Sequence, residues 1–198
     1  YLPLEERVDA IEHLKSISGW KGFYAYCINA DPFELVDNIK TVWHDSSTRG
    51  NIGGVHINFW SGLGAYTSSR KYSLATHYQR SGIRILTDPS NKYSLSWPVL
   101  VKLGCMAGID SMHVGMLGGY YPEGESEEET LKAIEICNEY DVIPSLSCGM
   151  NPILAREIRE RIGNNFMASV GGWLHTGDGS VGNTLYHKVK EMSEAVAE

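Results

Sequence analysis

The residues best suited to chemistry gather in short polar and glycine-containing clusters that close apolar runs. Gly171 and Gly172 follow Val170 in "SVGGWLHTGDGS". Glycine lets a backbone come close to a ligand and exposes its N–H groups. Two such amides ahead of a helix start suit a phosphate, although a plain tight turn reads the same way. Ser147, Cys148 and Gly149 form a second cluster, in which a hydroxyl and a glycine amide are compatible with an anion. The same stretch also reads as a βα loop closed by Asn151 as a helix N-cap, with Pro152 at the first helical position. The two readings are compatible, and two such clusters at one end of neighbouring strands favour an anion site.

His113, in "GIDSMHVGMLGG", lies at the end of a strand-like run before a glycine-rich loop. It could hydrogen-bond a substrate oxygen or exchange a proton, though a lone strand histidine is more often structural. His56, His77 and His187 take the structural reading, and His175 in the loop after the last run stays open. Metal motifs are missing: there is no HxH, HExxH, DxD or cysteine pair, and Asn58 and Asp88 are isolated oxygens. No GxSxG elbow occurs, and Cys148 as a nucleophile would need a base that sequence cannot name.

These clusters must be held by strands and helices that alternate along the chain. The strand candidates are Phe23–Ile28, Val55–Phe59, Ile83–Thr87, Ser111–Val114, Ile143–Ser147 and Phe166–Val170. Pro32–His44 has a helical apolar period through Phe33, Leu35, Val36, Ile39, Val42 and Trp43. Ser126–Tyr140 has a similar period behind Glu127, Glu128 and Glu129, which suit a helix first turn. Pro152–Ile162, Val181–Ala197 and an opening Leu4–Ile17 read as further helices. Strand starts lie 32, 28, 28, 32 and 23 residues apart, the spacing of βα units in a parallel sheet. A doubly wound sheet and a (β/α)8 barrel compete. No GxGxxG follows the first strand, and phosphate-compatible clusters after the last two strands favour the barrel. With six βα units and a leading orphan helix, the expected fold is α/β, a partial (β/α)8 barrel in one domain over residues 1–198.

The 198 residues carry 42% apolar and 21% charged side chains with a net charge of −7. That is ordinary for a globular domain with its own core. The acidic balance argues against nucleic acid and against a polybasic membrane surface, and no apolar run is long enough to span a bilayer. The four cysteines are widely spaced and read as reduced thiols of a cytoplasmic protein.

Several stretches resemble the C-terminal barrel domain of the RuBisCO large-subunit superfamily, particularly the RuBisCO-like proteins. "WPVLVKLGCMAGIDSMHVGMLGG" resembles the family's "VLAKLxRLAGxDxxHxGTxxGK". "PSLSCGMNPILAREIRERIGNNFMASVGGWLHTGDGSVGN" resembles its "PVASGGxHPxxxPxLxxxxGxDxxxxxGGGxxGHPxG". "YAYCINADPFELVDNIKTV" and "LPLEERV" are similar to segments that precede them. The resemblance implies barrel strands three to eight. It implies His113 near a substrate phosphate, Ser147, Cys148 and Gly149 as the SGG loop, and Gly171 and Gly172 on another phosphate. It further implies phosphorylated sugars or thio-sugars handled by proton abstraction next to a carbonyl, as in enolases and isomerases, with Mg²⁺ on a carbamylated lysine and two acidic residues.

The chain also departs from the pattern. The GxxKDDE metal motif would lie before Tyr1, so no Mg²⁺ is expected for this chain alone. The HxHRA motif is read at "ILTDPSN", with Asp88 and Pro89 in place of its histidine and arginine, and Tyr120 replaces the mobile-loop lysine. These changes argue against CO₂ fixation and leave enzymatic activity open, with a non-catalytic fragment or phosphate-binding relative as the alternative. A partial barrel exposes strand edges, so self-association into a homo-oligomer, or completion by further chain, is expected.

Overall fold

The computed structural model describes residues 24–28, 32–44, 52–58, 61–64, 67, 75–79, 90, 92–118, 126–176 and 181–197. The chain divides into two compact units, Tyr1–Ile83 with Ala107–Asp110, and Arg84–Met106 with Ser111–Glu198.

The first unit holds β1 (Tyr24–Ile28), α1 (Pro32–His44), β2 (Ile52–Asn58) and β3 (Ala75–Gln79). β1 pairs with β2 and β2 with β3, all parallel. The helical period of α1 buries Leu35 and Ile39, while Phe33 on the other side is exposed. β2 alternates as a strand must: Val55 and Ile57 are fully buried, and His56 and Asn58 are half-buried. His56 is in register with His77 on β3, their rings 4.8 Å apart. The Asp110 carboxylate accepts the Thr76 N–H at 2.7 Å, and the Asp110 N–H donates to the Thr76 carbonyl at 3.1 Å.

The second unit runs from α2 (Trp97–Ala107) through β4 (Ser111–Gly115), α3 (Glu127–Glu139), β5 (Ile143–Leu146), α4 (Pro152–Ile162), β6 (Met167–Ala168) and α5 (Gly172–His175) to α6 (Val181–Ala197). β4 pairs with β5 and β5 with β6, again parallel. β4 is buried along its whole length. Met112 and Val114 on β4, Leu146 on β5 and Ile158 on α4 are core side chains. The Trp97 indole N–H donates to the Val114 carbonyl at 2.8 Å and moors α2 to β4. Ser126 Oγ accepts the Glu129 N–H at 3.1 Å and caps α3. Asn151 Oδ1 accepts the Leu154 N–H at 3.0 Å and caps α4 with Pro152 behind it. Gly163, at φ 82°, ends α4 in a conformation that only glycine adopts without strain. Parallel strands joined through helices make the architecture α/β, a partial (β/α)8 barrel.

Helices α1, α3, α4 and α6 fall where their periodicity and caps place them. The opening helix Leu4–Ile17 and the strand Ile83–Thr87 lie outside the described residues. The third described strand, Ala75–Gln79, was not read from the sequence. Its polar Thr76, His77 and Gln79 mask the apolar signal that marks the other strands. α2 escaped the sequence reading because "WPVLVKLGCMA" is apolar almost all round, so no clear helical stripe stands out. Among the described residues no helix is long and apolar enough to cross a membrane.

Candidate functional site

The phosphate-compatible clusters both lie in the second unit, beyond the carboxyl ends of β5 and β6. Parallel pairing of Ser145 with Met167 and of Leu146 with Ala168 brings those ends side by side. The ladder continues past the strands, since the Ser169 N–H donates to the Leu146 carbonyl at 2.9 Å and the Ser147 N–H to the Gly115 carbonyl at 3.1 Å. His113, Ser147 and the loop that precedes Gly171 and Gly172 are thereby gathered at one end of β4, β5 and β6.

His113 is 7% exposed. Its Nε2 shares a hydrogen bond with Ser147 Oγ. The register pairs His113 with Ser145, but it shifts between His113 and Gly115. Successive side chains of a strand alternate between faces, so Ser145 and Ser147 project to the same side as the histidine. The Ser147 hydroxyl is 3.7 Å from Cys148 Sγ. Cys148 is exposed and takes φ 77°, with Gly149 following at φ 91°. The first is a left-handed conformation in which a Cβ is strained. The family motif carries glycine at that position.

Gly171 precedes the first turn of α5 and Gly172 opens it. Both are exposed, and a Cβ built on either would meet nothing within 4 Å. No neighbouring protein atom therefore demands glycine here, and the open space in front of the backbone is room for a ligand to reach its N–H groups. His175, read from sequence as a loop residue, is the last residue of α5, a one-turn helix hidden within "GGWLH".

Three residues at this site escaped the sequence reading. Ser145, fully buried, shares a 2.8 Å hydrogen bond with Ser169 Oγ. The pair joins β5 to the segment after β6 beneath the two loops. The alternation in "PSLS" was the available signal, since it sets Ser145 and Ser147 on one face. Lys188 on α6 donates to the carbonyls of Trp173, at 2.7 Å, and Thr176. Its ammonium also lies 5.2 Å from the Trp173 ring centre. It therefore fastens the turn that begins with Gly172 and brings a positive charge to it. Nothing in the spacing of Lys188 from Trp173 announces this contact.

The HxHRA reading at Asp88 and Pro89 lies outside the described residues.

Mg²⁺ in the family needs a lysine carbamate and two carboxylates. Among the described residues no three His, Cys, Asp or Glu side chains come together to hold a metal ion. The residues described do not fit that ion, and no chemistry is assigned through it.

No protein-family model matches the chain. Over 130 residues the chain is 27% identical to the ribulose bisphosphate carboxylase of Halothiobacillus neapolitanus, spanning 58% of this chain and 28% of that protein. The fold superposes on a rubisco-like protein from Burkholderia fungorum with a TM-score of 0.77, at 20% identity over 98% of this chain and 49% of that one. It superposes on octameric ribulose-1,5-bisphosphate carboxylase/oxygenase from Pyrococcus horikoshii with a TM-score of 0.75, at 18% identity over 98% of this chain and 45% of that one. The chain thus spans about half the length of these solved structures.

Proposed function

We propose that the chain is the C-terminal barrel of a RuBisCO-type large subunit, to which it is similar, and that it binds the phosphate of a phosphorylated sugar or thio-sugar. Ser147 Oγ and the N–H groups of Gly149, Gly171 and Gly172 are the donors, and His113 supports the Ser147 hydroxyl. The observation that carries this reading is the His113–Ser147 hydrogen bond at the end of β4 and β5, beside two glycines that no side chain crowds. Backbone N–H groups and a hydroxyl hold an oxyanion by short, directed, charge-assisted bonds.

The reaction that fits this reading is abstraction of a proton next to a carbonyl, leading to enolisation or isomerisation rather than CO₂ fixation. An imidazole in contact with a ligand-binding hydroxyl is a group able to carry a proton near neutral pH. The rubisco-like protein among the structural neighbours supports this class. A second reading, phosphate or small-anion binding without turnover, is favoured by the lack of a metal donor set among the described residues. Self-association accompanies either reading, in keeping with the octameric neighbour. The mass of the protein in solution by light scattering tests it, and a strict monomer removes it.

Incubation in D₂O with a panel of ketose phosphates and Mg²⁺, followed by proton NMR, tests the two readings together. Loss of the α-carbon proton supports the enolising reading. Saturable binding without exchange supports the anion-binding one. Absence of both overturns the assignment of a phosphate site.

A further inference from the structure

A second concavity of the second unit shares no residue with the phosphate site. It is a groove of about 540 Å³ with α2 on one side and α3 on the other. α3 turns Thr130, Ala133, Ile134 and Cys137 inward, and its opposite stripe forms one wall of the groove. Glu128, Glu135 and Glu139 lie on that stripe at helical spacing, with Glu129 and Ile136 beside them. From Glu128 to Glu139 this wall runs about 16 Å. The facing wall belongs to α2, through Pro98, Val99 and Lys102. Val99 is 45% exposed, and Leu103 and Met106, four and seven residues on along the same face, are 39% and 64% exposed. An apolar stripe on α2 thus stands in water beside an acidic stripe on α3. Four carboxylates against the two ammoniums of Lys102 and Lys132 leave two negative charges in surplus in the groove. None of these six side chains makes an ion pair among the described residues.

We infer that this groove docks an amphipathic helix of a partner protein. Its apolar stripe covers Val99, Leu103 and Met106, and its lysines or arginines face the α3 glutamates. Helix-in-groove recognition reads apolar anchors at the spacing of i, i+4 and i+7, which is the spacing that α2 presents. Covering the three side chains removes apolar surface from water and supplies the affinity. The acidic wall supplies orientation and a faster encounter. Lys102 and Lys132 stand among the carboxylates and repel a purely polybasic tail, so the partner is amphipathic rather than merely cationic. The surplus of carboxylates repels nucleic acid and anionic lipid. It also disfavours a second copy of this chain, whose own net charge is −7.

The test is fluorescence anisotropy with the full chain and a synthetic probe. The probe is a labelled peptide of about 15 residues, with leucine at i, i+4 and i+7 and lysine along one flank. A second peptide carries glutamate in place of each lysine, and a third holds the residues of the first in scrambled order. The expected result is saturable binding of the lysine peptide, about tenfold or more tighter than that of either control. Raising salt from about 0.05 M to about 0.5 M weakens it several-fold, since exposed charges are screened. Glu135→Gln combined with Glu139→Gln, both exposed and clear of the Ser126 cap, weakens it about tenfold, and Val99→Ser does the same. Circular dichroism confirms that both variants fold. Equal binding of the three peptides to the wild-type chain overturns the inference, and that comparison stands even where a variant fails to fold. Wild-type affinity in the double-glutamine chain overturns it too. So does sedimentation that shows self-association of the wild type lost in Val99→Ser, because the face then belongs to a second copy.

Discussion

His113 lies on β4 and Ser147 just past the end of β5, and Nε2 of the histidine shares a hydrogen bond with Oγ of the serine although the register sets His113 opposite Ser145. A shift in the ladder between His113 and Gly115 accompanies this reach of two residues past Ser145. The contact orients a hydroxyl at the mouth of the β5 loop, where the glycine amides also lie.

Ser147→Ala removes that hydroxyl. A hydrogen bond to a charged group is worth about 1.5–3 kcal/mol, so affinity for inorganic phosphate falls about 10- to 100-fold. Calorimetric titration reads the affinity, and circular dichroism confirms that the fold persists. Unchanged affinity removes Ser147 from the site.

The end of β5 and the start of the helix after it were legible in sequence because glycine, serine and proline mark strand ends and helix starts by their backbone chemistry. Asn151 and Pro152 announced the start of α4, and the cap formed. β3 and α2 were not legible, for opposite reasons. β3 carries too many polar side chains to show an apolar period, and α2 is too uniformly apolar to show a stripe. The His113–Ser147 bond joins residues 34 positions apart, and only the register of two parallel strands decides such a contact. Lys188 reaches Trp173 and Thr176 from another helix, and no local pattern encodes that.

Gly171→Ala and Gly172→Ala separate ligand approach from protein packing. An added methyl meets no protein atom within 4 Å. Stability therefore holds within about 0.5 kcal/mol for Gly171→Ala, and Gly172→Ala gains up to about 1 kcal/mol from helix propensity. Phosphate affinity falls about tenfold in each, because the methyl occupies the ligand's path to the amides. Thermal unfolding and phosphate titration on the same samples check both halves. Equal affinity in the alanine variants places the anion elsewhere.

Lys188→Met keeps the aliphatic stem but removes the ammonium from the Trp173 and Thr176 carbonyls. The loss of this charged donor costs about 1–3 kcal/mol, which lowers Tm by about 2–4 °C per kcal/mol in a protein of this size. Phosphate affinity falls with it, since the turn that presents Gly172 is no longer fastened. Lys188→Arg restores the charge and part of the affinity. A methionine variant with wild-type Tm and affinity refutes the positioning role.

Cys148 sits at φ 77°, where a side chain costs about 1–2 kcal/mol that glycine avoids. Glycine also loses more freedom on folding, by about 0.5–1 kcal/mol, so Cys148→Gly stabilises the protein by up to about 1 kcal/mol. Urea unfolding measures the shift. A destabilised glycine variant shows that the Cys148 side chain makes contacts worth more than the strain.

Cys137 contributes to a loss of stability at alkaline pH. An ordinary thiol loses its proton at 9.0. Cys137 is raised in the folded protein by its hydrogen bond to Cys105 and by burial, so above that pH the unfolded chain releases a proton that the folded chain keeps. The stability that Cys137 contributes is thus fully present below pH 9.0 and is lost as the pH climbs further, at up to about 1.4 kcal/mol per pH unit. Cys105 is lowered and acts in the opposite sense, adding stability as the pH rises towards 9.0. Its contribution is already complete where that of Cys137 begins to fall. Lysine and tyrosine side chains also titrate in this range, so the measurement is a difference. Urea midpoints from about pH 8 to about pH 10 are compared between the wild type and Cys137→Ala under reducing conditions. The variant is expected to lose the part of the alkaline decline that the thiol causes. Parallel pH profiles show that the Cys137 thiol does not contribute to the alkaline decline.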